Sequence, residues 1–151
     1  MTLIALWFTT FGVGVLGSLI PFVNVEIYLV PAVALSPRSF ILPLVIAAAA
    51  GQTVGKIAMY FVGSGVLKMR SGRVQRGLEA AQARMEARPV WGKLLFFISS
   101  VTGVPPLYVM ALAAGAVRMN FPFFIVACAV GRLIHFGVVA MVPDLWQRLF
   151  G

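Results

Sequence analysis

The sequence predicts an all-α integral membrane protein built as an inverted repeat, each half a re-entrant helical hairpin plus one transmembrane helix. Three observations predict it. The 151-residue chain is 61% hydrophobic with only 11% charged residues, and its mean hydropathy is +1.00. Two long apolar segments run uninterrupted, and two others are broken by proline. Soluble cores do not reach this composition, so a membrane domain is indicated.

The length suits one membrane domain over 1–151. We divide it into a first half at about 1–67, a basic loop at about 68–92 and a second half at about 93–151. An apolar stretch crosses a bilayer with ~20 residues, so 40–66 and 121–142 are the expected spans. The N-terminus lacks a basic n-region, which argues against a cleaved signal peptide. The single cysteine excludes an intrachain disulfide.

The first apolar segment, 3–35, is interrupted at Pro21. Proline breaks a helix interior, and broken backbone at membrane depth is tolerated only where protein or a polar cavity satisfies it. Asn24 is then a natural N-cap for the next helix. Glu26 follows, and we interpret it as a proton- or cation-linked site, because ionisable residues at this depth are usually functional. The alternative is a helix-end acid that only satisfies the broken backbone.

Lys56 lies inside the first expected span, on one helical face with Gln52, Tyr60 and Gly63. It is ten or more residues from either end of the segment 40–66. A snorkelling role at the interface is the alternative, since lysine has a long stem. Its depth favours a buried pairing role.

Seven of the twelve basic residues lie between 68 and 93, in the basic loop and directly after it, and only Glu79 and Glu86 offset them. This is the positive-inside pattern of a cytoplasmic loop, and it accounts for the charge of +8 without a nucleic-acid partner. Two interpretations stay open. The stretch is an amphipathic interfacial helix with Trp91 at the membrane surface, or a solvated loop that only sets orientation.

The third apolar segment, 93–117, contains Gly103, Pro105 and Pro106. Helix breaks of this kind mark substrate sites in transporters, so these three residues are candidate substrate- or ion-binding residues. The arms on either side have 9 and 12 residues, too short to cross a ~30 Å core at 1.5 Å per residue. A re-entrant hairpin solves this, and it keeps Arg118 on the basic side. A weak repeat at an offset of 80 residues supports two related halves of opposite orientation. Its matched positions are Gly12/Gly92, Ala34/Ala114, Arg38/Arg118, Ala47/Ala127, Ala49/Ala129 and Gly51/Gly131.

The last expected span carries Arg132 and His135, three residues apart on one face. Arginine suits bidentate phosphate recognition, and histidine titrates near neutral pH. The alternatives are a neutral hydrogen-bonded His135 and an Arg132 that only pairs with Glu26. We expect Glu26 to contact a basic residue, Arg132 in preference to Lys56. One positive charge is then left over, which an anionic lipid headgroup would balance.

The strings Gly51-Gln-Thr-Val-Gly-Lys-Ile-Ala-Met-Tyr60 and Thr102-Gly-Val-Pro-Pro106 carry a family resemblance. The chain resembles the DedA superfamily, whose core is the VTT domain, and its short branch with a Thr-Gly-x-Pro-Pro hairpin. The resemblance implies two opposed hairpins and movement of lipids or polyprenyl phosphates between leaflets, with proton coupling in some members. Lys56 stands where the family usually has an acid. Ser99, Ser100 and Leu107 stand where many members have arginines around the hairpin proline.

The expected function is therefore a translocator or scramblase of lipid phosphates, with membrane lipids as partners and a homodimer possible. We expect the bacterial-type cytoplasmic (inner) membrane, with the basic loop inside. A proton-coupled small-molecule or ion exporter and a non-transporting membrane organiser are the alternatives. An enzyme is not expected and no cofactor is implied, because the sequence has one histidine, no nucleophile elbow and no phosphate-binding glycine loop.

Overall fold

Helices occupy most of the chain in the computed structural model, which describes residues 2–20, 23–66 and 73–150. The described residues form no strand, in agreement with the predicted all-α class. The seven helices of these ranges are α1 Leu3–Leu19, α2 Val25–Ala34, α3 Arg38–Val66, α4 Arg73–Ala87, α5 Pro89–Thr102, α6 Leu107–Ala116 and α7 Phe121–Phe150.

Two of the helices are long and apolar enough to cross a membrane. The qualifying parts are Arg38–Gly65 of α3, with 28 residues, and Phe121–Trp146 of α7, with 26 residues. At 1.5 Å per residue, each exceeds the ~30 Å hydrocarbon core of a bilayer. They agree with the spans predicted at 40–66 and 121–142.

The proline break in the second half is confirmed. Helix α5 ends at Thr102, and α6 begins at Leu107. Gly103 has a φ of 81°, a left-handed conformation that glycine adopts without steric cost, and its N–H donates to the carbonyl of Ser99. In the first half, α1 ends at Leu19 and α2 begins at Val25. The proposed breaker there, Pro21, lies outside the described residues.

The basic region is not a solvated loop between 73 and 87, where the structure has helix α4. This helix packs against α6 and α5. Most of its described side chains are exposed, but Met85 is only 3% exposed and joins the core that contains Phe96. Gly92 makes this approach possible, because a β-carbon there would lie 3.0 Å from the Cα of Met85. The basic residues Lys68 and Arg70 lie outside the described residues.

The described chain divides into two compact units. Unit 1 comprises 1–55 and 132–151, and unit 2 comprises 56–131. Their boundaries fall within α3 and α7, so the units differ from the sequential halves 1–67 and 93–151. Each unit contains one pair of short helices, α1 with α2 or α5 with α6, together with parts of the two long helices.

Unit 1 is organised around Leu29, Leu44 and Phe136, none of which is measurably exposed. A hydrogen bond of 3.1 Å between the hydroxyls of Thr10 and Tyr28 places α2 alongside α1, because Thr10 lies well before the break and Tyr28 just after it. Glycines allow the close approach of α1 to α3. A β-carbon at Gly51 would collide with the Phe11 carbonyl.

Unit 2 is organised around Phe96, Met110 and Phe124, with the rings of Phe96 and Phe124 5.0 Å apart. Its helices also approach closely through small residues. A β-carbon at Gly115 would collide with the Tyr60 carbonyl, so this site admits only glycine without backbone movement. The Tyr60 hydroxyl donates 2.6 Å to the Met119 carbonyl, which ties α3 to the turn before α7.

Candidate functional site

The break before α2 ends in an N-cap, as predicted. The side-chain oxygen Oδ1 of Asn24 accepts from the backbone N–H groups of Glu26 at 2.9 Å and Ile27 at 3.2 Å. Two of the four donors that a helix start leaves without intrahelical partners are thereby satisfied. The cap also fixes the start of α2, so that the Glu26 side chain projects from the first turn.

Glu26 pairs with His135. The carboxylate Oε1 lies 2.8 Å from the imidazole Nε2, and the side chains are 35% and 18% exposed, with the larger value on Glu26. With Glu26 ionised, its carboxylate only accepts hydrogen bonds, so Nε2 carries the proton. His135 is thus a direct hydrogen-bonding partner of Glu26, whereas the sequence-based prediction named Arg132 in preference to Lys56.

Arg132 lies one turn before His135 on α7 and is only 6% exposed. Its guanidinium carbon stands 5.9 Å from the ring centroid of Phe136, within the range of a cation–π contact. Arg132 and His135 both attract the Glu26 carboxylate electrostatically. Glu26, Arg132 and His135, three of the candidate residues named from the sequence, therefore lie close together inside unit 1.

These charges lie at the middle of a candidate span. Arg132 is 11 residues after Phe121 and 14 residues before Trp146, the ends of the apolar part of α7. Asn24, Glu26, Arg132 and His135 are named here as the polar cluster. The cluster is neutral overall when His135 is neutral and carries one positive charge when His135 is protonated. A charged group at such depth is costly unless it is paired or hydrogen-bonded.

The remaining predicted site residues belong to unit 2. Lys56 is only 4% exposed, which agrees with its predicted burial. Gly103, Pro105 and Pro106 form the connection between α5 and α6. The carbonyl of Pro106 accepts from the N–H groups of Val109 at 3.0 Å and Met110 at 3.2 Å, so this connection also serves as the start of α6.

Two serines at the second break were noticed in the sequence only as departures from a family pattern. Ser99 and Ser100 are fully buried. The hydroxyl of Ser99 donates to the Pro105 carbonyl, and the hydroxyl of Ser100 lies 3.0 Å from the Ala127 carbonyl on α7. Ser99 thereby satisfies a backbone carbonyl at the proline break, and Ser100 links α5 to α7. The sequence signal that could have indicated this role was a pair of serines about one turn before the proline break.

Gln52 is a further buried polar residue. The sequence analysis named it only as a residue on the same helical face as Lys56. It is 6% exposed, and among the described residues its side-chain oxygen Oε1 has no hydrogen-bond donor. No three His, Cys, Asp or Glu side chains within the described ranges are grouped closely enough to hold a metal ion.

Comparisons of the chain with family models, with curated proteins and with solved structures found no match.

Proposed function

We propose that this protein moves lipids with phosphate headgroups, polyprenyl or phospholipid phosphates, between the leaflets of a membrane, as its resemblance to the DedA superfamily implies. The observation that carries the proposal is the burial of Arg132 at mid-span, beside the Glu26–His135 pair. A phosphate crossing hydrocarbon needs a cation on its path, and a guanidinium is the side chain best matched to phosphate.

The architecture that accompanies this function is a pair of re-entrant hairpins in an inverted repeat. Helices α2 and α6 have 10 residues each, so each is about 15 Å long, half of a ~30 Å core. When the repeat offset of 80 is added to the residue numbers of α2, Val25–Ala34 coincides with Leu107–Ala116 of α6 to within two residues. The repeat pair Gly51 and Gly131 is consistent with two related halves. Gly51 leaves room for the close approach of α1 in unit 1, and Gly131 leaves room for α5 in unit 2.

This topology has a direct labelling test. Single cysteines at the exposed positions Arg38 and Arg118, in a Cys128→Ala background, are expected to react with an impermeant maleimide from opposite faces of the membrane. The reason is that each half of an inverted repeat crosses once, in opposite directions. Labelling of both positions from the same face would refute the inverted repeat.

The transport function is tested in proteoliposomes that carry a fluorescent lipid phosphate in both leaflets. A membrane-impermeant quencher should eliminate about half of the signal in empty vesicles. In vesicles with the protein it should eliminate nearly all of it, because inner-leaflet lipid then reaches the outer surface without an imposed proton gradient. The control is the same protein after heat denaturation. A quenching level equal to that of empty vesicles would reject the proposal.

A proton-coupled exporter of small molecules or ions is a second candidate, favoured by one specific observation. Glu26 and His135 are both titratable groups, they stand within hydrogen-bonding distance, and they lie against the middle of a candidate span. Such carboxylate–histidine pairs can pass protons in transporters. Solute flux that appears only with an imposed pH gradient, without leaflet exchange of lipid, would select this candidate over the first.

A further inference from the structure

A groove of about 580 Å³ lies in unit 1, between the start of α3 and the last turns of the α7 span. Its walls are apolar apart from one charged residue on each helix. The residues used below are Arg38, Leu42, Ile46, Gly137, Met141 and Asp144. The volume is within the range of about 300–1,000 Å³ that ligand sites usually have. None of the residues in the polar cluster lines this groove.

The groove has exposed apolar walls on a candidate membrane-spanning surface. Leu42 and Met141 are 65% and 62% exposed. Arg38 and Asp144 bring opposite charges to the same groove, and neither forms a salt bridge with another described residue. Both charges therefore remain available to a ligand.

The two charges lie at one face of the membrane. Arg38 is the first residue of its candidate span, and Asp144 is two residues from the end of the other. The groove runs along nine residues of α3, from Arg38 to Ile46, or about 12 Å, and along 12 residues of α7, from Leu133 to Asp144, or about 17 Å. Both lengths are well short of a ~30 Å hydrocarbon core, so the groove does not connect opposite interfaces. Arg38 and Asp144 thus mark the headgroup end of a groove that continues into hydrocarbon.

We propose that this groove binds a phospholipid with a primary-amine headgroup, with one acyl chain between α3 and α7. Arg38 binds the phosphate, and the Asp144 carboxylate accepts hydrogen bonds from the ammonium group. A choline headgroup has no N–H to donate. A glycerol headgroup has no positive charge, and its phosphate lies near Asp144 with only Arg38 to offset the repulsion. Amine selectivity therefore depends on Asp144, and affinity for all phospholipids depends on Arg38.

Gly137 allows the groove to be filled without disturbing the fold. A β-carbon at Gly137 would meet no atom within 4 Å. Gly137→Leu places its side chain in the groove where the acyl chain would lie, and leucine also favours a helix more than glycine does. Gly65→Leu is the matched control, because Gly65 is in α3, also has open space around its β-carbon position and does not line the groove.

The test uses the full chain in nanodiscs with equal amounts of phosphatidylethanolamine, phosphatidylcholine and phosphatidylglycerol, and counts lipids retained on the released protein by native mass spectrometry. We expect about tenfold enrichment of phosphatidylethanolamine over phosphatidylcholine, the effect of one charge-assisted hydrogen bond. Gly137→Leu should eliminate retention of all three lipids. Asp144→Asn should equalise the two zwitterionic lipids, and Arg38→Gln should weaken all three. Gly65→Leu should match the unaltered protein.

Three outcomes would overturn the proposal. One is retention of the three lipids in their bulk proportions by the unaltered protein. Another is undiminished enrichment in Gly137→Leu. The third is a dimer of the unaltered protein that Gly137→Leu dissociates while no lipid is enriched, since the groove would then be an interface between two copies. Retention is measured without transport, so failure of leaflet exchange leaves this result unaffected.

Discussion

Replacement of Arg132 with glutamine is expected to slow leaflet exchange of a lipid phosphate by about a hundredfold. The guanidinium is buried at the middle of the α7 span, where a phosphate would otherwise meet hydrocarbon. A charge at the bilayer centre costs about 2.5–3.5 kcal/mol on insertion scales, and 1.36 kcal/mol corresponds to a factor of ten in rate. Arg132→Lys should retain part of the activity, because lysine keeps the charge but loses the planar fork.

The matched control is Arg148→Gln, which removes an exposed arginine from the last turn of the same helix. It should leave both exchange and thermal stability unchanged. A thermal melt of each variant separates loss of transport from loss of folding. Full exchange by folded Arg132→Gln would contradict the headgroup role.

A structural role for Arg132 makes a different forecast. If Arg132 only offsets the charge of Glu26, the double change Glu26→Gln with Arg132→Gln should restore exchange, since both charges are then absent. The headgroup role forecasts that the double variant stays inactive. Recovery of exchange in the double variant would therefore assign Arg132 to charge balance.

Glu26→Gln and His135→Gln are each expected to lower stability by about 0.5–1.5 kcal/mol, the net contribution of a typical hydrogen bond, because both side chains are only partly buried. The reason is the 2.8 Å contact between Oε1 and Nε2. The double variant should lose less than the sum of the two single losses, because the second change removes a group that has already lost its partner. Thermal unfolding of the four proteins in one detergent measures this cycle.

The control for this cycle is Glu79→Gln, an exposed acid on α4, paired with His135→Gln. Those two changes should add within about 0.5 kcal/mol, as distant sites do. Additivity of Glu26→Gln with His135→Gln would show that the pair contributes no coupling.

The same variants distinguish the two candidate functions. If the protein is a proton-coupled exporter, both single changes should abolish gradient-driven flux, whereas a lipid-phosphate pathway through Arg132 should keep part of its exchange.

The sequence by itself determined the features that depend on local chemistry. Composition and the length of the apolar runs identified two candidate spans. The prolines and Gly103 located the break between α5 and α6, because proline lacks the N–H that a helix interior needs. Asn24 was recognisable as an N-cap because its short side chain reaches the first free N–H groups of the following helix. None of these inferences needs a distant part of the chain.

The tertiary structure alone decided which groups meet. Arg132, His135 and Lys56 were all available to Glu26 in the sequence, and the choice depends on how α2 and α7 are rotated and shifted against each other. Packing sets that geometry through the core that Leu29 of α2 and Phe136 of α7 share, which no local pattern specifies. The burial of Met85 has the same explanation. The sequence left open an amphipathic helix in the basic segment, but only the packing of α4 against α5 and α6 showed that this residue is buried in a core.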